Sequence, residues 1–320
     1  MRLFENANYD FITVRRKAYA FSGIILAIGV AAMVYFQVAA GGWVNYGVDF
    51  TGGTLIQVDF QAPTDPGELR DLLEPDFPGV QVTRFGEENE YLIRTAEFTE
   101  QGVNVSDAVD ATLERAFEPG DYRVVRTEAV GPQVGAELQQ RALLAILLSF
   151  GATLIYLAFR FEWRFGLAAV VAVLHDSLLT LGFISLFRFE VAVTTVAAIL
   201  TIIGYSLNDT IIIFDRIREN LKAAGRREDS VALINRSINE TLPRTVMTGG
   251  TTLATLLALA LFTSGIIQEF AIILIFGIVI GTYSSIFVAS PILLEIEERW
   301  GEKHAGKKAS RPRRQERAAV

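Results

Sequence analysis

Six blocks of apolar residues, each near the length needed to cross a bilayer, decide most of what this chain can be: Ala18–Val38, Ala142–Phe159, Phe165–Phe187, Val191–Phe214, Thr245–Ser264 and Phe270–Leu294. A helix rises about 1.5 Å per residue and needs roughly 20 mainly apolar residues to span the hydrocarbon core. In lipid every backbone polar group must find a partner inside the protein, which a helix provides by itself. The fold class is therefore a polytopic α-helical membrane protein with six transmembrane helices. Val38–Ala40 looks like a signal-peptidase site. The block before it is longer than a typical signal h-region and residues 1–17 precede it, so a retained first helix is expected.

The charges between the blocks set the orientation. Arg15, Arg16 and Lys17 precede the first block, and Arg160 and Arg164 bracket the turn after the second. Arg216, Arg218, Lys222, Arg226, Arg227 and Arg236 lie between the fourth and fifth, and a basic tail follows the sixth. Six alternating helices put all of these on one side, so the positive-inside rule places both termini in the cytoplasm. The expected order is a cytoplasmic N-terminus (1–17), the first helix (18–38), an extracytoplasmic domain (39–141) and helices two to four (142–159, 165–187 and 191–214). A cytoplasmic loop (215–244), helices five and six (245–264 and 270–294) and a basic cytoplasmic tail (295–320) complete it. The net charge of −7 hides this split, because 41–137 carries about three acidic residues for each basic one. Topology or attraction to the anionic surface of the lipid bilayer accounts for the tail, with no nucleic acid expected as a partner.

The external segment reads as a small domain. Thr54–Phe60, Val80–Phe85 and Glu90–Thr95 alternate like half-buried strands, and Tyr122–Thr127 would be a last one. Pro66–Leu73, opened by Asp65 as a cap, and Val105–Phe117 have helical patterning. Strand, helix, two strands, helix, strand is the order of a ferredoxin-like α+β layer. The domain contains no histidine, no Ser-His-Asp set and no calcium-loop spacing. The chain has no cysteine, which excludes thiolate chemistry, disulfides and Cys-ligated metals.

Function is signalled by polar residues inside the apolar blocks. Asp209 lies within the fourth, where a carboxylate costs roughly 2.5–3.5 kcal/mol on insertion scales and usually faces a bundle interior or a water-filled path. Tyr205 and Ser206 stand one turn before it on the same face, and Asn208 and Thr210 flank it. His175 and Asp176 lie mid-way along the third block, either as a structural hydrogen-bonding pair or as a step in a proton path. Arg244 opens the fifth block from the cytoplasmic side, as a partner for Asp209 or as an ordinary interfacial anchor. Thr248, Thr251, Thr252 and Thr255 continue its polar stripe, and Gly249-Gly250 would admit a neighbouring helix. Gly277 and Gly281 form a small-xxx-small packing pair.

Several runs, in order along the chain, resemble the SecF family of the bacterial Sec protein translocase (SecD/SecF, within the RND superfamily). They are Gly47–Thr54, with Asp49, Gly52 and Gly53; Val130–Leu138; His175-Asp176; Gly204–Asn220; and Asn239–Thr245. Only about 61–126 carries no such motif. The resemblance implies an RND-like six-helix half in the bacterial cytoplasmic membrane, paired with SecD as a heterodimer and acting beside the SecYEG channel. It implies a non-ATPase transport subunit with no cofactor, which uses the proton-motive force to complete export of unfolded preproteins. It also implies that Asp209 carries the proton flow, with Arg244 beside it. From the residues themselves, Asp176 and His175 are expected as further members of the path, and Asn208, Ser206, Thr248 and Thr252 as supporting polar groups. Whether the coupling ion is H⁺ or Na⁺ stays open. A proton-coupled exporter of small molecules or lipids is the alternative, and a purely structural subunit a third reading.

Overall fold

The computed structural model describes residues 4, 7–85, 88–98, 103–224 and 229–309. Arg226, Arg227 and the end of the basic tail, 310–320, lie outside the described residues.

Six helices are long and apolar enough to cross a membrane. They are α1 (Arg15–Ala39), α5 (Pro132–Arg160), α6 (Trp163–Phe187), α7 (Val193–Ala224), α8 (Ser230–Phe262) and a sixth span built from α9 (Gly265–Ser284), a π-turn (Ser285–Ala289) and α10 (Ser290–Ala309). They form two sets. In α6, α7 and the sixth span at least half of the most apolar stretch is buried, whereas α1, α5 and α8 bury 17, 6 and 17 % of theirs. The inner three are held close by glycine. A Cβ on Gly277 would fall 2.2 Å from Ile202 Cδ1 of α7, and one on Gly281 would fall 3.0 Å from Ser206 Cβ. Gly29 of α1 meets Gly182 of α6 in the same manner, its added Cβ 2.9 Å from the facing Cα. Such contacts let backbones approach where no hydrophobic force separates helix from lipid.

The helices depart from the sequence expectations in three ways. The connection 215–244 is not a loop: α7 continues to Ala224, and α8 begins at Ser230, where the Asp229 side chain accepts the Ala232 N–H. Asn220 donates to Ser237 and Glu240, and Arg216 pairs with Glu240, so the two extensions brace each other. Arg244 therefore sits inside a 33-residue helix, just after Pro243, rather than at a helix start. The sixth span is also not one regular helix. Pro291 has no N–H to give back to the preceding turn, which widens to a π-turn, and the Ser290 hydroxyl donates to the Ser285 carbonyl there.

The sheet domain carries the strands β2 (Gly53–Phe60), β3 (Gln81–Arg84), β4 (Glu90–Thr95) and β5 (Tyr122–Val130), with helices α3 (Pro66–Leu73) and α4 (Val103–Leu113). The sheet order β3-β4-β2-β5, antiparallel throughout, is the ferredoxin-like arrangement. Asp65 caps α3, its carboxylate accepting the N–H groups of Gly67 and Glu68. One sheet face packs Ile56, Val58, Phe60, Tyr91 and Ile93 against Leu69, Leu73, Val109 and Leu113 of the helices. The other face lies over the membrane part, where Leu55, Leu92 and Phe85 meet Val48 and Ile266.

The glycine signature explains the join between the two parts. A short helix, α2 (Val48–Thr51), ends at Gly52, which has φ of +73°, and Gly53 follows at +109°. A Cβ on Gly52 would fall 2.9 Å from Pro132 Cα at the start of α5, and one on Gly53 would fall 2.3 Å from the Thr95 carbonyl of β4. No other residue type fits either place without strain. The Asp49 carboxylate accepts the Val193 N–H at 2.9 Å and so satisfies the first turn of α7.

Candidate functional site

Two buried carboxylates occupy the inner helices, and their surroundings differ. Asp176 of α6 is 1 % exposed. Its Oδ1 lies 2.8 Å from His175 Nδ1, and its Oδ2 accepts hydroxyl protons from Ser206 of α7 at 2.5 Å and Ser284 of α9 at 2.6 Å. Each of the three inner helices supplies a partner, so this carboxylate is fully coordinated. His175 keeps a buried Nε2 without a partner. The π-turn begins at the residue after Ser284, so the hydroxyl that reaches Asp176 sits at the end of the regular helix.

Asp209 of α7 is fully buried, yet among the described residues its one hydrogen bond comes from the Thr282 hydroxyl at 3.4 Å, and its Oδ1 has none. A buried carboxyl with one long donor is under-coordinated. Its Oδ1 is an acceptor that a proton or a donor would satisfy. Gly249 of α8 leaves the room: a Cβ there would lie 3.5 Å from the Tyr205 hydroxyl and 3.6 Å from the Thr282 hydroxyl. Among the described residues no ion pair joins Arg244 of α8 to Asp209, and Arg244 is exposed.

The supporting residues divide between the two centres. Ser206, expected beside Asp209, serves Asp176 instead, because the α7–α9 contact at Gly281 turns that face toward α6. Asn208 is exposed on α7, and no hydrogen bond among the described residues joins its side chain to Asp209. Thr248 and Thr252 donate to the carbonyls of Arg244 and Thr248 on their own helix. Arg244, Thr248, Thr251 and Thr255 are exposed. Thr194, Ala197, Thr201, Gly204 and Asn208 make a second exposed stripe on α7, at helical spacing. Small and polar residues thus form one stripe on each of α7 and α8, beside exposed apolar side chains such as Met247, Leu257 and Leu261. The exposed residues of α1 and α5 include Phe21, Ile24, Val34, Leu143, Leu147 and Leu148, which suit lipid.

Thr282 and Ser284 went unread in the sequence, since single hydroxyls in an apolar helix usually bond back to their own turn. The one available signal was their place beside the Gly277 and Gly281 pair, Thr282 next to Gly281 and Ser284 one turn after it. Farther along α7, Asp215 pairs with Arg160 at 2.6 Å and Arg218 at 3.5 Å, and Arg216 bridges Glu219 and Glu240, an ion-paired rim away from both centres.

Comparison with known proteins agrees with the geometry. Residues 109–299 match the family described as "Protein export membrane protein SecD/SecF, C-terminal", and 41–64, which include Gly52 and Gly53, match the "SecD/SecF GG Motif". The "Protein translocase subunit SecF" of Gemmatimonas aurantiaca is 48 % identical over 309 residues, covering 94 % of this chain and 90 % of that one. The protein of the same name from Magnetococcus marinus is 44 % identical over 300 residues, covering 92 % and 94 %. The crystal structure of SecDF, a translocon-associated membrane protein from Thermus thermophilus, superposes with a TM-score of 0.81 at 36 % identity. The alignment covers 93 % of this chain and 40 % of that structure. SecDF in a "Super-membrane-facing form" gives 0.68 at 36 % identity, again with 40 % of its length spanned.

Proposed function

This chain belongs to the SecF family of protein translocase subunits, and from that premise we propose that it draws on the proton-motive force through Asp209, paired in the membrane with a SecD-type second half. The observation that carries this reading is the pairing of an under-coordinated buried carboxylate with an uncovered polar face beside it. Transporter bundles of this kind set their ion sites between two related halves. The chain spans 40 % of the solved SecDF structures, which leaves room for such a half. The stripes Thr201-Gly204-Asn208 and Thr248-Thr251-Thr255 are the surface a second half would cover, and its arrival would complete the surroundings of Asp209 and Arg244.

In the proposed cycle a proton entering from outside neutralises Asp209 and weakens the pull of Arg244, and its loss to the cytoplasm restores that pull. Each charge crossing the field supplies roughly 2.3 kcal/mol per 100 mV. Asp176, held by three partners, is assigned the more static role of setting how α6, α7 and α9 pack, with His175 as its titratable neighbour. The packing change reaches the outside through α7, whose first turn is tied to Asp49 at the root of the external domain. That domain, placed outside the cytoplasm with both termini inside, would hold and release an unfolded preprotein leaving the SecYEG channel. The exporter alternative is not favoured, because the relatives that match across the whole chain are named translocase subunits.

The test is export into membrane vesicles with the SecD-type partner present. Asp209→Asn is expected to reduce stimulation by the proton-motive force to the level of vesicles lacking the chain, with the complex still assembled. Undiminished stimulation in an assembled Asp209→Asn complex would overturn the assignment.

A further inference from the structure

The turn between α6 and α7 joins the helix that carries Asp176 to the helix that carries Asp209. The segment that leads from α1 to the sheet binds this turn. The Ser185 hydroxyl donates to the Trp43 carbonyl at 2.6 Å, and the Arg188 guanidinium to the Gly42 carbonyl at 3.1 Å. Strand β1 (Asn45–Tyr46) pairs in parallel with β6 (Glu190–Val191), and the Gly47 N–H to the Val191 carbonyl continues the ladder. From the bundle, the carboxylate of Glu269 in α9 accepts the Glu190 N–H at 3.2 Å, and the Thr195 hydroxyl of α7 donates to the Glu190 carbonyl at 2.8 Å. The backbone of Glu190 is thus fixed to two inner helices, while its side chain is given to the sheet.

Arg94 of β4 receives it. The pair is 2.7 Å apart, with side-chain exposures of 11 and 8 %. The same guanidinium donates to Asn45 of β1 and Gln81 of β3, at 3.3 Å each, so junction, sheet and turn meet at one group. Gly47 keeps the seat open, since a Cβ there would collide with the Glu190 carboxylate. The neighbouring seam is apolar: Leu55, Leu92 and Phe85 pack with Val48 and Ile266. Apolar burial is non-directional and tolerates sliding. A guanidinium on a carboxylate is a charge-assisted contact with a set geometry. Stability alone does not call for such a pair, because apolar side chains of similar volume in place of a buried ion pair are often as stable or more so. A charge pair kept in a seam that apolar groups could fill is explained by the placement it fixes.

We propose that Arg94 is a positioning residue: seated on Glu190, it fixes one placement of the sheet domain on the turn that the Asp176 and Asp209 helices share. Without the pair the apolar seam still holds the domain, but in more than one placement. A shift of α6 against α7 then no longer moves the domain as a unit, and export loses its coupling to the bundle. That effect on export rests on the proton-coupling reading of Asp209, whereas the placement does not. The two consequences of breaking the pair separate in energy. Removing one member strands a buried charge and destabilises the joint, while removing both relieves that cost without restoring the direction.

The absence of native cysteine allows a direct measurement. Asp71→Cys on α3 and Leu186→Cys near the end of α6, both at exposed positions, carry spin labels, and pulsed-EPR distances are recorded in lipid nanodiscs with the partner subunit bound. The wild type is expected to give one narrow distance. The double variant Arg94→Met with Glu190→Leu should keep a thermal midpoint near that of the wild type, yet broaden or split the distance. Arg94→Met alone and Glu190→Leu alone should each melt below the double variant. Stimulation of export by the proton-motive force should be largely lost in the double variant. A double variant that keeps the single narrow distance overturns the proposal. So does one that melts below both single variants, which would make the pair a plain stabilising contact. Full stimulation in the double variant overturns it too, where Asp209→Asn abolishes stimulation in the same vesicles. The distance and the midpoint need no export, so their failure is distinct from failure of the proton-coupling reading.

Discussion

Asp176 and Asp209 lie on neighbouring helices of one bundle, both out of reach of water, yet they are surrounded in opposite ways. Asp176 has a partner for each oxygen, drawn from three helices of its own chain. Asp209 has one long contact and a bare oxygen, beside a polar helix face with nothing over it. A fully satisfied buried network fixes a packing, because removing any member strands the others. A half-satisfied group is one whose partner or proton comes and goes. The difference teaches that one polar centre finds its partners within the described chain, while the other, among the described residues, does not.

Stability should separate the two centres most strongly. Asp176→Ala strands His175, Ser206 and Ser284 in the bundle interior and is expected to destabilise the assembled protein by about 3 kcal/mol, read as a large fall in thermal midpoint in detergent. A near-unchanged midpoint would remove the distinction between the centres. Gly277→Ala should come next, at about 2 kcal/mol, since the new Cβ collides with Ile202 and pushes α9 from α7. It strikes both centres at once and should lower stability and proton-coupled export together. Asp209→Asn is expected to have the smallest effect on stability, under about 1 kcal/mol, while removing the stimulation of export. A loss comparable to that of Asp176→Ala would make Asp209 a structural residue.

What the sequence made legible follows the range of the interactions. Asp209 stood out because a carboxylate in an apolar block has no cheap explanation. The ferredoxin-like order was readable from alternation and the Asp65 cap, which are local signals. Gly52 and Gly53 were visible as a motif, but their reason, backbone contacts with Pro132 and Thr95, joins segments far apart in the chain. The same limit hid Ser284 and Thr282, which matter only through α6 and α7, and the Arg94–Glu190 pair, whose members are 96 positions apart. Ser206 was assigned to the wrong carboxylate because helical spacing gives a shared face but not which neighbour that face meets. Pro291, inside a block read as a single helix, was the available sign of the π-turn.

The central claim is that the polar face of α7 and α8 is covered by a second membrane subunit that completes the Asp209 site. In this cysteine-free chain it is tested by placing single cysteines at Asn208, Thr251 and Leu147 in turn and oxidising native membranes in which the SecD-type partner carries cysteines along its spans. The account predicts disulfide-linked heterodimers from Asn208→Cys and Thr251→Cys, and none from Leu147→Cys on the lipid-facing side of α5. Equal cross-linking from all three positions, or cross-linking from Leu147→Cys alone, would contradict it.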